Sequence, residues 1–231
     1  MNHFSNENWI HTALGTPVAL FASKPLAQLE NTHPILLMGG IHGDEPEGVE
    51  LAKRTLDWLL QEGKKPQNSL TNEWVLIPCL NVDGYQKKQR TNGRGVDLNR
   101  NYPSKSWSPQ CEKPRYNPGP FAGSEPEVQG VVELLQLLKP KLVIHCHSWN
   151  PCVVSSGERA LRDAERLAKA SGYKVVPEIG YPTPGSLSQF GWHDHKLPVI
   201  CIEEQEGADL SSVWPHFASG MKEIFLDPSP R

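Results

Sequence analysis

The 231-residue sequence puts acid and imidazole side chains at spacings that metal chemistry uses. His42-Gly-Asp-Glu45 brackets what reads as a strand-to-helix turn. A neutral imidazole and a carboxylate are good zinc ligands, and a second imidazole would complete a three-ligand set with one position open to water. Taken alone, the pair reads more simply as a loop histidine beside a helix-dipole acid, because so short a motif recurs by chance. His145 and His147 lie two apart on one strand and therefore share a face. His147 is nearer the strand end and is the better ligand, while His145 reads as a hydrogen-bonded core histidine. Glu203 closes a third apolar run. If these runs are parallel strands, their ends converge on one rim, and ligands of such sheets bind beyond the carboxyl ends.

The elements that must position these residues follow from the apolar pattern. Residues 17–23, 34–40 and 74–80 read as strands, and 34–40 is continuously apolar, as in a sheet covered on both faces. Pro46 and the acids around it suit a first helical turn, and Val49, Leu51, Ala52, Leu56, Leu59 and Leu60 form that helix's apolar stripe. Residues 81–123 are rich in Gly, Pro, Asn and Arg, and a loop this long inside a compact domain is usually functional. Ser124 and Glu127 read as a capping box, with Pro126 early in the helix that follows. Further strands are expected at 141–148, near 152–155 and at 198–202. Helices are expected near 157–171 and 209–226, with a short helix between Pro/Gly-rich 177–186 and the last strand. This alternation predicts an α/β fold: a mixed, largely parallel central sheet with helices on both faces, in a single domain over residues 1–231.

Composition excludes several classes. Net charge is −3, with no block of like charge, which argues against a nucleic-acid or membrane-surface partner. No apolar run approaches the ~18 residues of a membrane span, and no signal peptide is read at the N-terminus. The 21 prolines are spread out and suggest sharp loops rather than a linker. The five cysteines form no Cys-x-x-Cys pair and read as free thiols in a reducing cytoplasm.

His42-Gly-Asp-Glu45, Asn81-Val-Asp-Gly84, the run from Arg90 to Asn101, Ser124-Glu-Pro-Glu127, His147-Ser148 and Glu203 occur in one order over most of the chain. Together they resemble the zinc carboxypeptidase (carboxypeptidase A) family. The resemblance implies a zinc-carboxypeptidase-like (phosphorylase/hydrolase-like) fold and one zinc ion per chain. His42, Glu45 and His147 match the family's zinc ligands, with water at the open position. Asp97 matches an acid that accepts the other ring proton of the first zinc histidine and fixes its orientation. Glu203 matches the general base, and Arg90 the arginine that stabilises the developing oxyanion. Asn99 and Arg100 match the pair that grips the substrate's terminal carboxylate, for which a guanidinium fork is suited. Tyr181 falls where the family has a mobile tyrosine, a match that rests on its spacing to Gly185 and Ser186.

The sequence departs from the family pattern after the base, where Glu204 stands in place of a non-acidic residue. The two acids should face opposite ways, so only one can serve. Periodicity does not choose between them, and the alignment of Ile200-Cys201-Ile202 as the buried strand end favours Glu203. Arg94 has no motif partner, and His193 and His195 read as surface histidines. The short length and Thr183-Pro-Gly-Ser186 look most like compact bacterial cytoplasmic members of the family. Those hydrolyse the γ-D-glutamyl–meso-diaminopimelate amide of murein peptides. The expected partner is a small peptide or muropeptide, with no nucleic acid or membrane, and the chain is a monomer or homodimer. Two alternatives stand beside this reading. One is a zinc-dependent N-acyl amino acid deacylase of the aspartoacylase and succinylglutamate desuccinylase type. Its usual C-terminal β domain would not fit the one helix that follows Glu203. The other is an inactive member that binds peptides or muropeptides.

Overall fold

The computed structural model describes residues 3–65, 67 and 70–229. In chain order its elements are β1 (Phe4–His11), β2 (Pro17–Ala22), α1 (Leu26–Leu29), β3 (Ile35–Met38), α2 (Pro46–Gly63), β4 (Trp74–Ile77) and α3 (Val82–Lys87). There follow α4 (Pro126–Leu138), β5 (Leu142–Trp149), β6 (Cys152–Ser156), α5 (Glu158–Ser171), β7 (Val175–Val176), β8 (Val199–Gln205) and α6 (Leu210–Leu226). The strands form one eight-stranded sheet in the order β1-β2-β4-β3-β5-β8-β6-β7. Strands β4, β3, β5 and β8 are mutually parallel and form its centre. The β1–β2 pair and β6 join antiparallel at the two sides. The expected mixed, largely parallel α/β sheet is what the chain forms.

The central strands are buried on both faces, which is why they read as unbroken apolar runs. Ile35 and Leu37 point to one side, where α2, α5 and α6 pack through Leu51, Leu167 and Phe217. Leu36 and Met38 point to the other, which α4, the loop around Tyr102 and the expected short helix before the last strand, Gln189–Asp194, cover through Phe190. Truncating one such leucine to alanine costs about 2–5 kcal/mol. Among the described residues no helix is long and apolar enough to cross a membrane.

Four elements escaped the sequence reading, the first being the single turn of α1 between β2 and β3. β1 carries polar residues at most positions, and its pairing with β2 shifts register between Asn6 and Ile10, which breaks the period-two pattern. α3 sits inside the long loop and is short, and β7 is two residues. One local expectation is corrected. Ser124 does not cap α4: its hydroxyl donates to Glu125 Oε1 (2.7 Å), and Glu127 instead accepts from the Ala13 N–H (3.3 Å). The tertiary contact with the β1–β2 connection outcompetes the local box.

Candidate metal centre

From β3 the chain can only run on to β4 at one side, while β5 lies at the other. The crevice between the carboxyl ends of β3 and β5 is thus a topological switch point, where open α/β sheets bind ligands. His42 follows β3, Glu45 flanks the start of α2, and His147 lies near the end of β5. Two glycines permit this crowding. A Cβ on Gly43 would lie 2.0 Å from the Gly84 carbonyl carbon, and one on Gly48 would lie 2.3 Å from the Cys146 carbonyl oxygen. The turn therefore rests on α3, and the first turn of α2 rests on β5. Asn81 ties the same region together. Its side chain accepts from the Gly84 N–H (2.9 Å) and donates to the Ile41 and Arg90 carbonyls (3.3 and 3.2 Å).

The three expected ligands meet. Nδ1 of His42 lies 2.7 Å from Glu45 Oε1, Nδ1 of His147 lies 2.7 Å from Glu45 Oε2, and the two Nδ1 atoms are 3.0 Å apart. All three side chains are buried. The outward nitrogens are engaged elsewhere: His42 Nε2 faces Asp97 Oδ1 (3.1 Å), and His147 Nε2 faces His145 Nδ1 (2.8 Å). Two imidazoles and one carboxylate, each held from behind, are a donor set that suits zinc with one position left for water or substrate. Burial alone would raise the Glu45 carboxyl, but the His42 and His147 imidazoles outweigh it and hold the group well below the usual carboxylate range. Burial pushes His145 and His147 down, so His145 is neutral near pH 7.

Asp97 is fully buried and takes three donors: Arg90 Nε (2.8 Å), the Asn99 N–H (2.9 Å) and the His42 ring. Burial opposes its ionisation, but the His42 and Arg90 charges prevail and its pKa lies below the normal range. Arg90 also reaches Glu45 Oε1 (3.3 Å), so this arginine sits over the ligand cluster. The aperiodic segment that carries these residues is held by asparagines rather than by secondary structure. Asn92 accepts from the Arg94 and Val96 N–H groups and donates to Glu125. Asn101 donates to the Pro118 carbonyl (2.7 Å) and accepts from the Glu125 N–H (3.1 Å). Asn99 accepts from the Leu187 N–H (3.0 Å), and Arg100 is buried with Nη1 on the Asn99 carbonyl (2.7 Å). Tyr181 is exposed, its ring edge-on to Trp149 at 5.4 Å.

All nine expected site residues except Asp97 and His147 line one cleft of about 1040 Å³; those two lie directly behind its wall. Glu203 is the register partner of His147 across the β5–β8 ladder, so the two share a face. Burial, with the Glu45 carboxylate, pushes the Glu203 carboxyl up to about 8. Glu204 turns to the opposite face, where it accepts from the Tyr173 hydroxyl and from His216 Nδ1 (2.8 Å). Of these two acids Glu203 opens to the cleft, and Glu206 borders it from an exposed position. His193 is exposed and borders the cleft, and Arg94 is exposed beside Glu125. Sequence reasoning missed Tyr116, whose ring faces the guanidinium groups of Arg90, Arg100 and Arg115 at 5.2, 5.6 and 5.6 Å. It lies on a single 3-10 turn, Pro114–Tyr116, which has no periodicity to read. Trp149 was also missed, as a single aromatic at a strand end.

Comparison with known proteins agrees with this geometry. Residues 13–179 match the family described as zinc carboxypeptidase. The chain is 32% identical over 207 residues to murein peptide amidase A of Escherichia coli (strain K12), covering 85% of this chain and 78% of that protein. It is 29% identical over 206 residues to the protein of that name from Vibrio campbellii, covering 83% and 76%. Among solved structures, the murein-tripeptide amidase of Escherichia coli O157 superposes with a TM-score of 0.77 at 26% identity, covering 98% of this chain and 93% of that one. Bovine thrombin-activatable fibrinolysis inhibitor shares the fold alone, with a TM-score of 0.77 at 19% identity, covering 97% of this chain and 88% of its own. The fold is carboxypeptidase A-like, and the His42–Glu45–His147 cluster implies zinc. By family match, by identity over most of its length and by the convergence of these ligands, the chain belongs to the zinc carboxypeptidase family.

Proposed function

We propose that residues 1–231 act as one catalytic domain, a cytoplasmic zinc amidase that hydrolyses the γ-D-glutamyl–meso-diaminopimelate bond of murein peptides. His42, Glu45 and His147 would hold zinc, which would supply the Lewis acidity that lowers the pKa of water and polarises the scissile carbonyl. Glu203, whose affinity for a proton is raised by burial and by Glu45, takes the proton of the attacking water and delivers it to the leaving amine. Arg90, locked by Asp97, donates to the oxygen on which charge develops. Asn99 and Arg100 receive the terminal carboxylate, and Tyr181 closes the mouth of the cleft.

The observation that carries the substrate reading is the cationic wall of Arg90, Arg100 and Arg115 around Tyr116. A γ-linked D-glutamyl residue keeps a free α-carboxylate, and diaminopimelate brings two more. An ordinary peptide offers one at its C-terminus. The likeness to proteins named murein peptide amidase A supports the same choice. A mass-spectrometric assay tests it. The zinc-loaded protein is given L-Ala-γ-D-Glu-meso-diaminopimelate, C-terminal L-peptides and N-acyl amino acids. Chelator-sensitive release of diaminopimelate alone is expected. Turnover of the other panels instead would overturn the substrate while keeping the zinc chemistry.

A further inference from the structure

His145 is explained by neither the zinc set nor the core. Its ring is buried, it borders the cleft with Val154, Ser156 and Cys201, and its Nδ1 lies 2.8 Å from Nε2 of the ligand His147. Its own Nε2 is buried with no hydrogen-bond partner among the described residues. Counting protons around these two rings assigns both ends. Nδ1 of His147 converges with Glu45 and His42, so it offers its lone pair to the metal and the ring proton sits on Nε2. That N–H must donate to Nδ1 of His145. A neutral imidazole has one lone pair and one N–H, so His145 then carries its proton on Nε2. Cys201, its neighbour across the β5–β8 ladder, directs its thiol to Glu203 Oε1 (3.3 Å). His145 lines the cleft, and its buried Nε2 donor is left unpaired among the described residues; such groups are rare without a reason.

We propose that His145 is a positioning residue for the metal ligand His147 and that its far N–H receives a carboxylate oxygen on the side chain of the substrate's leaving residue. The first half follows from the zinc set. The second half rests on the murein-peptide reading and sharpens it. Diaminopimelate and lysine differ only by a carboxylate at the end of the side chain. A site with a fixed buried donor discriminates strongly against the analogue that lacks the acceptor, since the donor is then left unpaired.

Two substitutions separate the halves. In His145→Asn the amide oxygen takes the place of Nδ1 but nothing replaces the far N–H. In His145→Phe both are lost. Zinc affinity is read by competition with a chelator. His145→Phe is expected to bind zinc about 10- to 100-fold more weakly, the usual cost of removing such a partner, and His145→Asn within about threefold of the parent. Parent-like affinity in His145→Phe overturns the positioning role. If thermal melts show that His145→Phe does not fold, His145→Gln carries the same test, because its amide reaches the far position and leaves the His147 N–H without its acceptor.

The second readout is calorimetric binding to zinc-loaded Glu203→Gln, which does not turn over. The ligands are L-Ala-γ-D-Glu-meso-diaminopimelate and its L-lysine counterpart. The parent is expected to prefer the first at least about tenfold, and both His145 variants to lose that preference. A preference kept in both variants overturns the donor role. No preference in the parent overturns the donor role while leaving the murein-peptide reading, and no binding of either peptide overturns both. The zinc measurement still decides the positioning role.

Discussion

The carboxyl ends of β5 and β8 present two faces that differ sharply in how they treat buried acids. On the helix-packed face, Glu204 accepts from Tyr173, from His216 and from the Gln205 N–H, while Glu47 accepts from the Ser148 hydroxyl (2.6 Å) and the Gly207 N–H (2.8 Å). On the cleft face, Glu203 is one residue away and equally buried. Among the described residues its one hydrogen bond to a side chain comes from a weak thiol donor, and the Glu45 carboxylate repels it. The two acids are indistinguishable by type. A buried carboxylate with its lone pairs filled is a fastener, whereas one left short of donors holds free energy that a proton can release. The cleft face trades stability for reactivity, and the packed face does the opposite.

The largest effect should come from taking the metal away. Chelation is expected to abolish hydrolysis and to lower the thermal midpoint, since whatever binds only the native state stabilises it. Residual full turnover after dialysis against chelator would break the division between faces. Next, Glu203→Gln should cost about 10³-fold or more in kcat with zinc and fold retained, while Glu204→Gln should stay within a few-fold. Steady-state kinetics on both decides which acid is the base, and a large kcat loss in Glu204→Gln alone would invert the assignment. Arg100→Ala should raise KM about 10- to 100-fold, the worth of a charge-assisted bond to a carboxylate. An unchanged KM would remove it from the carboxylate grip. Glu204→Ala should instead destabilise the fold by about 2–3 kcal/mol in urea titrations, because Tyr173 and His216 lose their acceptor.

The smallest predicted effect concerns pH. In chelated protein the folded state holds the Glu203 proton up to about 8, against an ordinary 4.5 when unfolded. This contribution to stability is complete below the unfolded value and is lost as pH rises toward 8, because there the native state binds the proton more tightly. Glu203→Gln should flatten that slope and leave the chelated protein about 1–2 kcal/mol more stable than the parent at pH 9. A parent whose stability is level between pH 5 and 8 would show that Glu203 is not held protonated.

Much of this architecture was legible beforehand. Residues 34–40, 74–80 and 141–148 appear as strands at close to their expected places, because strands covered on both faces must be apolar throughout. The ligand positions were legible because a His-x-x-Glu turn and a strand histidine are local patterns. Other features were not. β1 hides its period behind a register shift, and Tyr116 gathers three arginines from an aperiodic segment fastened by Asn92 and Asn101. Ser124 and Glu127 look like a cap, yet Glu127 is recruited by Ala13, more than a hundred residues earlier.

The sequence by itself determined the element types, the layered α/β class and the list of groups able to hold a metal. Those depend on burial pattern and side-chain chemistry, which are properties of neighbours along the chain. Only the tertiary structure decided which of two adjacent acids faces the cleft, that His145 backs His147 rather than resting in the core, and that Asp97 holds His42 and Arg90 at once. Each of these depends on strand register and loop closure between residues tens of positions apart. No local preference carries that information, because it arises only when the buried polar groups must find their partners together.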